Sequence, residues 1–342
     1  MKSLRAITVV TTAILAAQAL GAGNPPLKLI QRVQMPGIKK SFDHLTADPK
    51  GDRLFVAAEW HSSVEVYDMK TGKFLHSIAG MRRPHAVLYR EDIDRIYITD
   101  GDDDGGMVRI YDGKTYEQVK KIDLLPDTDS IGYDPRTKYL YVTNGGEDAK
   151  LSYSFLTIID TTSGDKAGEI KVDSDTIGGM RLEASTSRLY LDEPDKKRAQ
   201  KTIGVIDRDR RNTVYSWQVP QSKREGALAL DEGNHRLFVG TIEGVVVVLN
   251  TETGKEVTQF PIGRGTDDMA YDPQSKRVYA ACDDGSIYVY LQTDADHYKL
   301  LGKIPSAPGA RTGRLVPEIR RYFTAVPAQG NTPAELLIYE VQ

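Results

Sequence analysis

The chain of 342 residues contains one cysteine and two tryptophans. A lone cysteine excludes an intrachain disulfide framework and a cysteine-built metal knot. Cys282 sits in an apolar run, Val278-Tyr279-Ala280-Ala281-Cys282, and reads as a small buried residue. An excess of one charge is also missing: 45 basic against 48 acidic side chains leave a formal net of -3. The basic footprint of a nucleic-acid binder is therefore lacking. Past the first 21 residues no run approaches the ~20 apolar residues of a spanning helix, and no long helical periodicity appears. There is no Gly-x-Ser-x-Gly elbow, no His-Glu-x-x-His pair, no Walker loop and no Cys-x-x-Cys-His haem attachment.

What is present begins with a targeting segment, residues 1–21. Lys2 and Arg5 form a charged start, and residues 6–17 form an apolar core too short to span a membrane. Small residues at Ala17, Ala19 and Gly21 offer two cleavage sites. The expected product is a bacterial periplasmic or secreted protein, a monomer without a membrane span.

Beyond this segment one strand core recurs seven times: Arg53-Leu54-Phe55-Val56, Arg95-Ile96-Tyr97-Ile98, Tyr139-Leu140-Tyr141-Val142, Arg188-Leu189-Tyr190-Leu191, Arg236-Leu237-Phe238-Val239, Arg277-Val278-Tyr279-Ala280 and Arg321-Tyr322-Phe323-Thr324. An earlier strand ends in a turn such as Ala47-Asp48-Pro49. A later apolar strand, such as Val64 to Asp68, often leads into Thr-Gly-Lys. A fourth strand follows. Four short strands every ~40–50 residues is the spacing of a β-propeller blade. The seventh unit stops after its third strand, and residues 27–33 supply a spare one. The prediction is an all-β, seven-bladed β-propeller of four-stranded antiparallel blades. It forms one domain, residues 22–342, and its ring is closed by the N-terminal strand completing blade seven.

Tyr141-Val142-Thr143-Asn144, with the Asp/Asn-x-x-Thr-Gly-Lys hairpins of Val64 to Lys73 and Val246 to Lys255, resembles the YVTN-repeat, YncE-like β-propellers of bacterial secreted and surface proteins. Blade two departs from that pattern with Arg90-Glu91 where Asp-Pro is usual, and blade four with a polar insert, Asp192 to Thr202. The resemblance implies the fold and says little of chemistry, because the repeated residues are structural. Trp60 and Trp217 alone do not supply the repeated tryptophan docking of quinone-cofactor propellers.

The candidate site follows from counting. At one offset before the innermost strands stand Asp43, His85, Asp129, Gly178, Gly226, Asp267 and Arg311. The next offset holds His44, Ala86, Ser130, Gly179, Ala227, Asp268 and Thr312, with Arg83, Asp127, Asp175, Arg224 and Glu225 nearby. These converge on one funnel. Its arginines suit a carboxylate or phosphate, and His44, His85 and Arg311 are the candidates for acid–base work. The loops beside the funnel are acidic and the opposite turns basic. Asn144 and the acidic loop after it are expected on the ligand face, with Tyr141 packed between blades. Asp100-x-Asp102-x-Asp104-Gly105 matches the first half of a Ca2+ loop, although Tyr111 replaces the closing glutamate.

The expected function is a binding scaffold for a small anionic ligand or a protein partner. The alternative, by fold analogy, is a lactonase-like hydrolase or lyase. A redox accessory role is a third reading that no residue selects.

Overall fold

The computed structural model describes residues 24–195, 200–222 and 224–342. The expected targeting segment lies outside them, as does part of the blade-four insert. Among the described residues there is no α-helix. Three single-turn 3-10 helices, Glu59–His61, Glu91–Ile93 and Pro317–Ile319, sit in connections. Among the described residues no helix is long and apolar enough to cross a membrane.

Twenty-eight strands form seven four-stranded antiparallel sheets. The innermost strands are Leu45–Asp48, Pro84–Arg90, Ile131–Asp134, Met180–Leu182, Leu228–Asp231, Thr266–Asp272 and Gly313–Val316. Each contacts the innermost strand of the next blade, and Leu45–Asp48 also contacts Gly313–Val316, so the ring is closed. Blade seven takes its outer strand from the other end of the chain. Leu27–Met35 pairs antiparallel with Ala334–Val341, from Leu27 opposite Val341 to Met35 opposite Ala334. The expected seven-bladed propeller and its closing strand are both observed.

The repeated strand core forms the second strand of each blade and is buried on both sides. Tyr97, Tyr141, Tyr190, Tyr279, Tyr322, Phe55, Phe238 and Phe323 rank among the largest buried side chains. As expected, Tyr141 packs between blades, against Leu156 and Ile158 of its own blade and Met180, Leu189 and Leu191 of the next. A strand buried on both faces carries apolar residues without alternation, and the β-branched and aromatic types suit its pleat.

The Thr-Gly-Lys element is a turn device. Asp68 Oδ1 accepts from Lys70 N at 3.0 Å and Thr71 N at 2.7 Å. Asn250 Oδ1 accepts from Glu252 N at 2.9 Å and Thr253 N at 3.0 Å. The glycine that follows takes positive φ, +69° at Gly72 and +71° at Gly254. The turns on the opposite face are basic in sequence but largely neutralised in space. Arg53 meets Asp48 at 2.8 Å, Arg236 meets Asp296 at 2.6 Å, and the buried Arg208 meets Asp134 at 2.6 Å across blades four and three.

Candidate functional site

The segments leading into the innermost strands bond sideways around the ring. His44 N donates to His85 O at 3.1 Å, joining blades one and two. Asp268 N donates to Arg311 O at 3.2 Å, joining blades six and seven. These bonds hold the side chains of different blades in one layer around a central cavity of about 960 Å³. Asp43, His44, Arg83, His85, Asp129, Glu225, Asp267, Asp268 and Arg311 all line it. Arg224 does not. It is exposed at the rim, and its carbonyl accepts from Lys201.

At the centre of this layer His85 Nδ1 lies 2.7 Å from Asp43 Oδ2, and its Nε2 lies 3.0 Å from the Gly101 carbonyl. A carbonyl can only accept, and an ionised carboxylate can only accept, so both imidazole nitrogens donate and the ring is a cation. Burial alone would lower the His85 pKa. The Asp129 and Asp43 carboxylates and the Gly101 carbonyl outweigh it and lift the value to about 10. Burial would likewise raise Asp43, but His44, His85 and Arg311 hold it at about 2.

His44 is fixed in a similar way. Its Nδ1 lies 3.1 Å from Asp268 Oδ1 and its Nε2 3.5 Å from Asp43 Oδ1. Asp268 and Asp43 overcome burial and raise His44 well above its ordinary pKa. The other Asp268 oxygen accepts from Gly313 N at 3.1 Å, so this contact ties blade one to blades six and seven.

Other carboxylates are less well compensated. Burial and the neighbouring Asp129 and Glu225 push Asp127 to about 8. Burial also raises Asp129 against the pull of His85, and its Oδ1 is enclosed without a hydrogen-bond partner among the described residues. Burial raises Asp267 to about 6, although Arg311 Nε stands 3.1 Å away. Asp127 has a φ of +58°, a conformation that costs a non-glycine residue energy. Its segment is seated on Gly101 and Gly106: a Cβ on Gly106 would fall 2.1 Å from Leu125 O. The backbone is thus held so that Asp127 and Asp129 both reach the cavity.

Asp43, His85 and Asp129 present ligand atoms within 4.8 Å of one another. Two carboxylates and an imidazole suit a borderline divalent metal. Such a metal requires His85 to give up a proton and one of its two bonds. In the arrangement seen, the imidazolium itself supplies the positive charge.

The Ca2+ reading of Asp100, Asp102 and Asp104 fails on geometry. Asp100 is fully buried; its Oδ1 accepts from Arg82 N and Arg83 N, both at 2.8 Å, and its Oδ2 from Arg109 Nε at 2.6 Å. Asp102 Oδ1 pairs with Arg82 Nη1 at 2.9 Å. The stretch is a tight hairpin between Arg95–Asp102 and Gly105–Asp112, and the three carboxylates do not converge. Arg82, Arg83 and Arg109 occupy oxygens of Asp100 and Asp102 that a cation would need.

Two other expectations for the ligand face are corrected. Asn144 is buried, and its Nδ2 donates to Val142 O and Thr157 Oγ1. Asp192, in the acidic loops, is fully buried against the equally buried Lys201 Nζ at 2.9 Å, and also accepts from Gly226 N.

Sequence reasoning missed Arg181 and Arg314, which line the same cavity. The signal was available: carrying the offset count three residues further inward reaches both.

These features define a seven-bladed β-propeller with a polar central cavity. No protein-family model matches the chain. The chain is similar, at 20% identity over 272 residues, to THO complex subunit 3 of Arabidopsis thaliana, the match covering 79% of this chain and 80% of that one. An uncharacterized YncE protein of Salmonella typhi is 30% identical over 118 residues, 34% of this chain. That alignment spans about a third (33%) of the Salmonella protein. Among solved structures, a chain of the mitotic checkpoint complex superposes with a TM-score of 0.75 at 14% identity, covering 99% of each chain. A chain of Kuenenia stuttgartiensis hydrazine synthase gives 0.75 at 16% identity, covering 91% of this chain and 98% of that one. At these identities the structural likenesses speak for the fold alone.

Proposed function

We propose that this chain is an extracytoplasmic, YVTN-type binding propeller that receives a basic segment of a partner protein at its funnel. The observation that carries this reading is the crowding of Asp127, Asp129 and Asp267 at the cavity wall with too little positive charge beside them. Burial and neighbouring carboxylates raise all three, and Asp127, at about 8, keeps its proton at neutral pH. A lysine or arginine side chain placed there would replace the proton as counter-charge, so binding would release protons. The fold suits the role: a rigid ring displays non-repeating loops, and propellers commonly serve as protein-binding platforms. The leading apolar segment of the sequence supports the extracytoplasmic setting. The hydrolase alternative needs a histidine with a free lone pair, and both nitrogens of His85 are spent on Asp43 and Gly101.

The test is calorimetric titration of the protein with a short arginine- and lysine-rich peptide, in two buffers of different ionisation enthalpy. Binding should release protons near pH 7 and weaken in Asp127→Asn and Asp129→Asn. Equal affinity in wild type and both variants would sink the reading.

A further inference from the structure

Arg181 and Arg314 occupy equivalent positions in two blades. In every blade one residue of the innermost strand lies opposite the large aromatic of the second strand. In blade four this is Arg181, opposite Tyr190, and in blade seven Arg314, opposite Phe323. The other five blades place Thr46, Leu88, Gly132, Ala229 and Ala270 there, four of which are small. Thr46, Ala229 and Ala270 line the cavity with small side chains at this level, and Arg181 and Arg314 each bring a guanidinium to it.

Blades four and seven stand three apart in a ring of seven, so these side chains approach from opposite walls. Arg181 crosses the channel far enough to donate to the Met269 carbonyl of blade six at 3.3 Å; its other bond is to Met180 O at 2.7 Å. The Arg314 side chain, water-accessible within the channel, makes no hydrogen bond or ion pair among the described residues. Most other arginines near the cavity or in the blades are matched to carboxylates, as Arg83 is to Glu59 and Arg311 to Asp267. The nearest acidic groups are Asp268 and Glu318. Asp268 has both oxygens engaged, by His44 and by Gly313 N. Burial depresses the pKa of both arginines, and the Arg314 charge depresses Arg181 further. A guanidinium does not lose its proton in a protein, so both side chains stay cationic.

We propose that Arg181 and Arg314 form an oxyanion subsite within the channel, which takes the carboxylate or phosphate group of a small molecule or of a partner's side chain. Each planar fork can offer two parallel N–H donors to such a group. The small residues on the other blades admit its bulk, and the anion relieves the repulsion between the two cations. The subsite rests on the reading of the funnel as a binding site, but uses cations where the rim uses carboxylates.

The experiment compares inorganic phosphate and succinate, titrated into the full chain at constant ionic strength set by chloride, with melting temperature as a second readout. Saturable binding that raises the melting temperature is expected. Arg181→Met and Arg314→Met should each weaken it about tenfold or more, as expected for loss of a bidentate charged contact. Both variants should melt no lower than wild type in anion-free buffer, so that lost binding is not lost folding. Binding of phosphate alone, or of succinate alone, supports the subsite and names its ligand. Lack of saturable binding of either anion to wild type, or affinity unchanged in both variants, overturns it. Asp127→Asn, run alongside, should leave anion binding intact. The basic-peptide and anion titrations thus fail independently.

Discussion

Replacing His85 with alanine tests whether the centre of the funnel is an ion pair or an acid–base site. The side chain is 10% exposed and bonds to Asp43 at 2.7 Å. Its removal leaves the Asp43 and Asp129 carboxylates facing each other with one cation fewer. A histidine moved from 6.5 to about 10 holds its proton by on the order of 5 kcal/mol, at about 1.4 kcal/mol per tenfold. Breaking one side of a buried pair costs about 3–5 kcal/mol. The expected loss at neutral pH is thus about 3–5 kcal/mol, a large part of the stability of an ordinary domain.

The pH profile separates this from a mere cavity effect. The raised histidine contributes fully below its unfolded pKa of about 6.5, and the contribution is lost as pH rises through about 10. The lowered Asp43 contributes fully above its unfolded value, and this is lost as pH falls through about 2. The gap between wild type and variant should therefore be widest from about pH 4 to 6.5 and narrow towards both extremes. Urea unfolding across the range measures it, and nitrogen NMR of the imidazole should show both ring nitrogens protonated at neutral pH. A gap under about 1 kcal/mol, below even a single buried hydrogen bond, or one unaltered above pH 10 would refute the pairing. So would a bare ring nitrogen.

Two further outcomes follow from blades four and seven. Lys201→Met strands the fully buried Asp192 carboxylate and should cost about 3–5 kcal/mol, with most of it regained when Asp192→Asn is added; denaturant midpoints of the single and double variants decide this. Deleting residues 27–33 removes buried Leu27 and bares the Ala334–Val341 edge, which should lower the melting temperature sharply and promote association; unchanged melting would disprove closure by this strand.

The architecture was legible because its signal is local and repeated. Each repeated core, with an aromatic at its third position, carries its own strand, so seven copies fix seven blades without knowledge of any long-range contact. The offset count also brought Asp43, His44, His85, Asp129, Asp267, Asp268 and Arg311 together correctly, because every blade enters the ring in the same register. What failed were statements about a carboxylate's partners. Nothing near Asp100 in the sequence says that Arg109 consumes one of its oxygens, or near Asp192 that Lys201 does. His44 and Asp268 lie 224 positions apart, and only the closed ring makes them neighbours. Arg181 and Arg314 went unseen for a simpler reason: the inner strand positions were treated as wall, whereas a long side chain there reaches another blade, as Arg181 reaches the Met269 carbonyl.

The outer strand of blade seven sets an order on assembly. Residues 27–35 emerge early from the ribosome and pair with Ala334–Val341, which emerges late. Six blades can condense from contacts local in sequence, while this pairing waits for nearly the whole chain. The entropy of closing so long a loop grows only logarithmically with its length, but contacts of such separation form slowly. Through that delay the unpaired edge of blade seven stays open to other chains. The same seam, once closed, sets how readily the ring reopens. Opening at the seam frees one outer strand while six sheets keep all their ladders. Slow exchange with solvent at the amides of Ala334–Val341 would therefore report the lifetime of the closed ring.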